Sequence, residues 1–460
     1  MLKKNGIHRV KIIDLNNLGF GVAKIEGMTV FIGGAVDGDE LDARIILVHK
    51  TYAVARIEKL ITPSAHRINA PACHRTACGG CAYQGITYAH EKMLKESYVR
   101  HAFLKAGLKD VTVLPVLSTD QTAGYRNKAQ YAVSADQNGR CIAGFFAPKT
   151  HRIVEAVDCP LADAAFSPIV KSVIDFANQN GILPYDEKTG KGTLRHIYLR
   201  ASSAGGVLLT LVINQSALAC EKELVSLLSE KHKNIVGIYL NINTESTNVI
   251  CSDEYRHLWG ERCLTDVLAG VPLSLSPASF YQVNHVAAEM LYAHAADLAA
   301  FSADDDLLDL YCGVGSIGLS MARQVKSLVG VEIVPSAVEC AKENAKKMGL
   351  SNARFFCADA GRVEELIASL QNENGTPYRP TAVVLDPPRK GCDEALLSFL
   401  ANDLRISRIL YISCNPDTLA RDARILSDYG YSLGAVTPVD LFPRTGHVES
   451  VVCLTRRLDN

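Results

Sequence analysis

The first sixty residues carry short β-rich runs separated by glycines. Apolar and β-branched residues concentrate at 10–13, 30–32 and 41–48, and glycines recur throughout the stretch between positions 19 and 38. Short strands with frequent glycine turns are typical of small barrels. Residues 1–60 are therefore predicted to form a small β-barrel, a fold that often binds oligonucleotides but does not by itself prove it.

The middle of the chain reads as a mixture of strands and helices. Residues 61–91 interrupt the barrel pattern with prolines and a group of cysteines, and a helix is predicted at 88–106. A second helix is predicted at 168–180, with Ser167 as its N-cap and Pro168 as its first residue. Strand-like runs alternate with loops at 128–134, 196–200, 207–214 and 235–241. Residues 92–270 are predicted to form an α+β domain.

From about residue 271 the pattern changes to strands alternating with helices. Helices are predicted at 338–348 and 396–404, and apolar strands at 307–310, 327–332, 353–357, 382–385 and 409–413. This alternation predicts a doubly wound, Rossmann-like parallel sheet in residues 271–460, so the chain belongs to the α/β class. Ligands bind such sheets beyond the carboxyl ends of the strands.

Composition and charge narrow the class of protein. The chain has 460 residues, 48% hydrophobic and 21% charged, which is ordinary for a folded protein and excludes wholesale disorder. No apolar run reaches the roughly 20 residues that span a bilayer, and the first residues lead into no signal-peptide core, so we expect a cytoplasmic protein with no membrane partner. Residues 1–160 hold 21 basic and 14 acidic side chains on a chain of net charge −1, which favours a polyanionic partner.

Three acidic residues and a glycine-rich turn follow the first predicted strands of the C-terminal sheet. Residues 309–318 contain the GxGxxG spacing at Gly313, Gly315 and Gly318, which fits a nucleotide-type cofactor at a helix N-terminus. Glu332 ends the next strand, where an acid can accept hydrogen bonds from ribose, and Asp359 follows the third. The glycine-rich turn and these two acids would fit a nicotinamide dinucleotide equally well. Asp386-Pro-Pro after the fourth strand resembles a motif of S-adenosylmethionine-dependent methyltransferases, which favours S-adenosylmethionine instead.

A cysteine ends the fifth strand, in Ser413-Cys-Asn-Pro416. C5 of uracil is too weak a nucleophile to attack a methylsulfonium, but a thiolate that adds to C6 makes C5 enolate-like. A base must then remove the C5 proton before the thiolate leaves. Cys414 is the candidate nucleophile, and Glu449 and His447 are candidate bases.

Together these residues resemble the RNA uridine-5-methyltransferase family, most closely its 23S rRNA (uracil-5-)-methyltransferases. The resemblance covers almost the whole chain and is carried by Phe280-Tyr-Gln-Val-Asn284, residues 309–318, Asp386–Gly391, Ser413-Cys-Asn-Pro416 and His447-Val-Glu449. It implies methyl transfer from S-adenosylmethionine to C5 of a uridine, with Cys414 as nucleophile and Glu449 as base. For the methyl donor it implies Gln282, Tyr311, Glu332, Asp386 and, less directly, Asp359.

The resemblance also implies how RNA is held. Residues 1–60 are similar to the family's TRAM domain, an OB-like RNA-binding barrel, and the middle domain to its RNA-binding insertion. Arg126 and Lys128, flanked by Tyr125 and Tyr131, are basic candidates there, although a solvated strand face explains them nearly as well. One residue of the pair Phe280 and Tyr281 is expected to stack on a flipped base and the other to pack in the core.

Cys73, Cys78 and Cys81 have the spacing C-x4-C-x2-C, and Cys159 precedes a proline far along the chain. This set fits a [4Fe–4S] cluster, and tetrahedral zinc is the main alternative. The resemblance favours the cluster, in a structural or RNA-binding role. The family usually has five residues between the first two cysteines and this chain has four, so His74 is an alternative to Cys73. Cys141 is the alternative to Cys159.

Two other functions remain open at this point. A tRNA uridine is the alternative to 23S rRNA as the methylated site, and a non-catalytic RNA-binding or assembly protein could retain the same fold. The complete set of Cys414, Glu449, Gln282 and Asp386 argues against the latter. A radical enzyme would want the CxxxCxxC spacing, which is absent. The sequence indicates no obligate protein partner.

Overall fold

The computed structural model describes residues 2–68, 72–73, 75, 77–148, 150–246, 249–371 and 375–457. Its N-terminal six-stranded sheet has the order β1-β5-β6-β4-β3-β2. The strands are β1 (Ile7–Lys11), β2 (Asp14–Leu15), β3 (Phe20–Ile25), β4 (Met28–Gly33), β5 (Glu40–Val48) and β6 (Tyr52–Thr62). β1 and β3 contact each other although they are not neighbours in the sheet, so the sheet curls around its own core. This confirms the predicted small barrel.

Helix α1 (Tyr88–Lys105) begins where the sequence predicts and ends one residue earlier. Its buried residues Val99, Ala102 and Phe103 belong to the same apolar core as the C-terminal sheet. The helix therefore packs against that sheet, although more than 150 residues of chain separate the two.

The middle sheet contains seven strands in the order β13-β12-β11-β10-β7-β8-β9. Its elements are β7 (Lys128–Ala135), β8 (Cys141–Phe146), β9 (Ile153–Glu155), α2 (Phe166–Gln179), β10 (Leu194–Ala201), β11 (Val207–Ile213), α3 (Glu221–Lys231), β12 (Ile235–Ile242) and β13 (Tyr255–Gly260). Helices α2 and α3 share one apolar core with one face of this sheet. The opposite face, which carries Lys128 and its cross-strand partner Arg200, is not covered by either helix.

The predicted N-cap of α2 is wrong. The helix begins at Phe166 with Ala165 as its N-cap, so Ser167 lies inside the first turn. Asp163 begins the helix early, because its carboxylate accepts the Ala165 N–H at 2.8 Å and its carbonyl accepts the Phe166 N–H at 3.1 Å. Pro168 still lies in the first turn, where its missing N–H costs no hydrogen bond.

The C-terminal sheet has eight strands and is preceded by the hairpin β14 (Leu264–Leu268) and β15 (Val271–Leu275) and by helix α4 (His285–Ala299). Its strands are β16 (Asp306–Leu310), β17 (Ser327–Glu332), β18 (Ala353–Cys357), β19 (Ala382–Leu385), β20 (Arg408–Ser413), β21 (Tyr431–Leu433), β22 (Thr437–Val439) and β23 (Glu449–Arg456). The helices are α5 (Ser316–Met321), α6 (Pro335–Lys347), α7 (Val363–Ser369), α8 (Glu394–Ser398) and α9 (Pro416–Asp428).

The order of this sheet is β18-β17-β16-β19-β20-β23-β21, with β22 also paired to β23. The first five strands are parallel, and β23 runs antiparallel to β20. Strand order reverses direction between β16 and β19, which is where doubly wound sheets open a ligand crevice. The predicted helix at 396–404 is α8 continued by a π-helical stretch, Phe399–Asp403. Within the described residues no helix is long and apolar enough to cross a membrane.

Candidate active site

The glycine-rich turn follows β16 and leads into α5. Tyr311, Gly313 and Gly315 all have positive φ angles, and for Tyr311 (φ 64°) this is an uncommon conformation that tight packing must hold. Asp309 accepts the Gly318 N–H at 3.0 Å, and a Cβ at Gly318 would lie only 2.5 Å from the same carboxylate. The other Asp309 oxygen is buried without a partner. The turn thus brings backbone N–H groups and an acidic residue to the crevice.

Two further acids stand at neighbouring strand ends. Glu332 ends β17, and its carboxylate accepts the N–H groups of Gly313 at 3.1 Å and Val334 at 2.9 Å. It therefore lies directly across from the glycine-rich turn in a fixed position. Asp359, beyond β18, is exposed and accepts the Gly361 N–H at 2.9 Å. Both stand at or just beyond the strand ends that the sequence predicts, and their role in binding the donor stays a prediction.

The segment containing Gln282 is held at the same crevice from two sides. The side-chain amide of Asn127 donates to the Gln282 carbonyl at 2.8 Å, and that of Asn284 donates to the Leu441 carbonyl at 3.1 Å. The Gln282 side chain lies beside the Tyr292 hydroxyl, which is 3.0 Å from Ser316 at the start of α5. The Asn127 side chain of the middle domain thereby holds the backbone at Gln282 next to the glycine-rich turn.

Phe280 and Tyr281 differ sharply in environment. The Phe280 side chain is 69% exposed, whereas Tyr281 is only 3% exposed and donates its hydroxyl to Asp266 at 2.8 Å. The expectation that one of the two packs in the core is met by Tyr281. Phe280 is left free to contact a ligand.

Cys414 and Glu449 lie at adjoining strand ends. Ser413 and Ser450 are paired between antiparallel β20 and β23, and Cys414 and Glu449 are the next residues along that register. Residues opposite each other on antiparallel strands point to the same side of the sheet. Cys414 is half-buried and Glu449 is buried.

The pKa values of this pair depend on burial and on the charged side chains around it. Burial, and then the neighbouring Asp386, raise the pKa of Glu449 to about 8. Burial alone raises the pKa of Asp386 to about 7. The pKa of the Cys414 thiol is raised by burial and by the charges of Glu449 and Asp386. These carboxyls therefore titrate close to neutral pH, which is the range where general bases work best.

Arg389 is a site residue that the sequence analysis did not single out. Its positive charge lowers the pKa of both Cys414 and Glu449, opposing their burial, and it also lowers the pKa of His447. The side-chain amide of Asn415 donates to the Arg389 carbonyl at 3.0 Å, which ties the Asp386 loop to the start of α9. The sequence could have indicated Arg389, because this residue stands three positions after Asp386 in the motif Asp386–Gly391.

A buried group of charges holds the segment that leads to Glu449. Lys95 of α1 donates to Glu91 and to Asp440, each at 2.8 Å, and all three side chains are almost fully buried. Glu91 also accepts the backbone N–H of Arg444 at 2.7 Å. His447, the alternative base, is exposed and lies beside Phe442 with ring centroids 6.0 Å apart. The geometry thus places Glu449 and not His447 in the buried group with Cys414.

The four predicted metal-binding cysteines converge on one cavity of about 790 Å³. Cys73, Cys78, Cys81 and Cys159 all line it. Burial, and then the other three cysteines, raise the pKa of Cys81 to about 12, so thiolates gathered here need a cation. Cys141 is elsewhere, with its thiol donating to the Ile182 carbonyl at 3.3 Å. His74 lies outside the described residues.

The spacing of the donor atoms bears on which metal fits. A tetrahedral zinc site brings sulfurs within about 3.8 Å of one another, given Zn–S bonds of about 2.3 Å. Among the described residues, the group of three donors that lie within 4.8 Å of one another is Asp37, His66 and His90, not the cysteines. The His66 and His90 rings are stacked 3.7 Å apart. The four cysteines that line the cavity are a second candidate metal site in this part of the chain.

The basic residues of the middle domain are only partly as expected. Arg126 and Lys128 are half-buried and line the cysteine cavity, so a solvated face does not explain them. Tyr125 donates its hydroxyl to the Pro443 carbonyl at 2.8 Å. Tyr131 points to the opposite side and is fully buried in the core with α2, because alternate residues of a strand face opposite sides.

Comparisons with known proteins agree over nearly the whole chain. Residues 88–457 match the family model described as tRNA (Uracil-5-)-methyltransferase, and residues 4–57 match the TRAM domain. Proteins described as uncharacterized RNA methyltransferases are similar: one from Clostridium tetani is 36% identical, covering 99% of this chain and 97% of its own length. One from Halalkalibacterium halodurans is 37% identical, covering 98% of each chain.

A solved structure extends the comparison to three dimensions. The crystal structure of Pyrococcus abyssi tRNA (uracil-54, C5)-methyltransferase in complex with S-adenosyl-L-homocysteine superposes with a TM-score of 0.76 at 25% identity. The match covers 97% of this chain and 99% of that one. The barrel, the middle domain and the C-terminal sheet therefore share one architecture with that enzyme.

Proposed function

The chain belongs to the tRNA (uracil-5-)-methyltransferase family and is an S-adenosylmethionine-dependent RNA methyltransferase, and we propose that it methylates C5 of a uridine in 23S rRNA through a covalent adduct. The observation that carries the proposal is the group of half-buried Cys414, buried Glu449 and half-buried Asp386 at the carboxyl end of the sheet, whose charges influence one another. Nothing in a passive RNA-binding role requires a nucleophile beside two carboxyls of raised pKa.

The donor is assigned to the crevice between β16 and β19. Glu332 is the ribose acceptor, with Tyr311 and Gln282 on either side of the glycine-rich turn and Asp359 near the adenine. The unpaired oxygen of Asp309 supports a polar ligand there. When bound, the donor supplies an electrophilic methyl group to C5.

The reaction assigned to the protein's own residues has two parts. The Cys414 thiolate adds to C6 of uracil, which places the electron pair on C5 for methyl transfer. C5 then carries both a proton and a methyl group. Glu449 takes the proton, the C5–C6 double bond forms again, and Cys414 leaves as a thiolate. Burial is the main cause of the raised pKa values of both groups, Asp386 raises them further, and Arg389 lowers them.

A [4Fe–4S] cluster is assigned to Cys73, Cys78, Cys81 and Cys159. The cavity that all four cysteines line and the effect of the other three on the pKa of Cys81 support a metal group held in common. The methyl transfer needs no electron transfer, so the cluster's role is to hold the irregular segment between β6 and α1 against the middle domain.

A tRNA uridine is the second candidate substrate. The matched family model and the Pyrococcus enzyme are both described by tRNA, which favours it. The resemblance of the barrel and cysteine motif to the rRNA enzymes favours 23S rRNA. Mapping 5-methyluridine in rRNA and tRNA from cells with and without the gene separates the two. Loss of a single 23S position supports the proposal, loss of a tRNA position replaces the substrate, and no loss from either RNA overturns the function.

A further inference from the structure

The loop that joins β22 to β23 ends at Glu449 and is held by other parts of the chain. Its backbone N–H at Arg444 donates to Glu91 of α1 at 2.7 Å, and its carbonyl at Pro443 accepts the Tyr125 hydroxyl of the middle domain at 2.8 Å. Arg444 has a φ angle of 69°, which is uncommon for a residue with a side chain. The loop therefore depends on its contacts to keep this shape.

The N-terminal barrel also touches this loop, through its turn between β2 and β3. A Cβ added at Gly446 of the loop would overlap the carbonyl oxygen of Asn17 in that turn and lie 2.6 Å from the carbonyl carbon. Gly446 is not among the described glycines that have a positive φ angle. A glycine is therefore required here by the close approach of another backbone, and not by the conformation of its own.

The segment before α1 joins the barrel turn to the loop. Tyr83 is only 3% exposed; its hydroxyl donates to the carbonyl of Asn16 in the turn at 3.2 Å, and its N–H donates to the carbonyl of Arg444 in the loop at 3.1 Å. Gly19 of the turn approaches the same segment, because a Cβ there would lie 2.5 Å from the Ala82 carbonyl oxygen. The barrel turn, this segment and the loop therefore form one packed junction.

The base of the reaction lies next to this junction. Only two residues of chain separate Gly446 from Glu449, the first residue of β23. Glu449 is paired with Val439, the last residue of β22, so the two ends of the loop are fixed to each other. A displacement at Gly446 therefore acts on the end of the strand that carries the Glu449 carboxylate.

We infer that the β2–β3 turn of the barrel positions the catalytic base: resting against Gly446, it keeps the Glu449 carboxylate where it can take the C5 proton from the adduct. Asn17 and Gly446 are positioning residues, because they act through Glu449. The inference rests on the proposed function, since it takes Glu449 as the base. It gives the barrel a part in the reaction that is separate from RNA binding.

Gly446→Ala in the full chain tests the inference, with rRNA and tRNA from cells without the gene as substrate. The added methyl group should push the loop away from the barrel turn and slow turnover by about 10²-fold, since a misplacement of about 1 Å can cost that much. Addition of Cys414 and methyl transfer both precede the step that uses Glu449. The variant should therefore still methylate RNA in a single turnover and accumulate the methylated Cys414–RNA adduct, seen on a denaturing gel. A variant that had only lost its fold or its affinity for RNA would form no adduct.

A matched control and a milder variant lie in the segment before α1. A Cβ added at Gly85 would meet nothing within 4 Å, so Gly85→Ala should turn over as the unmutated protein does, with no lasting adduct. Tyr83→Phe keeps the buried ring and removes only the hydrogen bond to the Asn16 carbonyl. It should slow turnover by about two- to tenfold, the effect of one hydrogen bond, and should accumulate the same adduct to a smaller extent.

The inference is overturned if folded Gly446→Ala turns over like Gly85→Ala, or if it loses methyl transfer without accumulating the adduct. Where circular dichroism shows that Gly446→Ala is not folded, Tyr83→Phe decides by the same two measurements. Glu449→Gln separates this inference from the proposed function. An adduct in Glu449→Gln but not in the junction variants rejects the positioning role alone, whereas no adduct in any variant rejects the proposed mechanism.

Discussion

The two cysteine sites of this protein are built in opposite ways. Cys414 and Glu449 stand at the ends of hydrogen-bonded strands, so the register between β20 and β23 fixes their separation. Cys73, Cys78 and Cys81 lie between β6 and α1, where the described residues include no helix or strand, and Cys159 comes from the middle domain. Sheet register maintains the first site with no ligand, whereas the second, under the proposed function, depends on the metal group that its cysteines would bind.

The largest effect should follow removal of the nucleophile. Cys414→Ala should lower methyl transfer by at least about 10³-fold, because C5 is not activated without addition at C6. The iron content should not change, since the sheet holds this site independently of the cysteine cavity. Incorporation of labelled methyl groups into RNA measures the first, and metal analysis the second. Cys220→Ala, at an exposed cysteine before α3, is the control and should behave as the unmutated protein.

Removing the ribose acceptor should have the next largest effect. Glu332→Ala should weaken S-adenosylmethionine binding by about 1–3 kcal/mol, or roughly five- to 150-fold, through loss of charged hydrogen bonds. Isothermal titration calorimetry measures it. Glu339→Ala, at an exposed acid of α6, should leave the affinity unchanged. Tight binding of a nicotinamide dinucleotide to the unmutated protein would contradict the assignment of the glycine-rich turn.

The pH dependence of the methylation rate should report the pKa of the buried Glu449 carboxyl. Glu449 acts as a base only when deprotonated, and its pKa is raised to about 8. The rate should therefore increase as pH rises through about 8, by about fivefold between pH 7 and pH 8. Arg389 lowers this pKa, so Arg389→Met should move the rise to higher pH. A rate that is constant from pH 6 to pH 9 would exclude Glu449 as a base of raised pKa.

The smallest effect on S-adenosylmethionine binding should come from a substitution among the four cysteines that line the cavity. Cys81→Ala should remove the iron, about four atoms per chain in the unmutated protein purified without oxygen. The affinity for S-adenosylmethionine should change by less than about twofold, because none of the four cysteines is among the residues assigned to the donor. Stoichiometric zinc and no visible absorbance in the unmutated protein would contradict the cluster. A large loss of donor affinity would contradict the independence of the two sites.

The C-terminal fold could be predicted because local pattern and topology agree there. Each short apolar run that precedes an acid or a cysteine forms a parallel strand of the sheet. The positions of Glu332, Asp386 and Cys414 at one edge of the sheet could therefore be predicted from the sequence alone. The barrel was harder, and β3 and β6 were missed because their apolar residues alternate with glycine and charged residues. Patterns of strand propensity carry less information in such strongly curved sheets.

The remaining site residues depend on contacts between distant parts of the chain. Arg389 influences Cys414 and Glu449 only because the sheet brings three loops together. The ion pair between Lys95 and Asp440 joins residues that are far apart in the sequence, and no local sequence pattern predicts it. The same holds for Lys128 opposite Arg200, since each residue alone reads as an ordinary charged position on a strand.

The central claim is that Cys414 forms a covalent adduct that Glu449 resolves. With RNA and S-adenosylmethionine, Glu449→Gln keeps the side-chain shape but has no basic carboxylate, so the reaction should stall after methylation. A denaturing gel followed by peptide mass spectrometry should find protein joined to methylated RNA through Cys414. A cross-link at Cys312 or Cys392, or normal turnover by Glu449→Gln, would contradict the account.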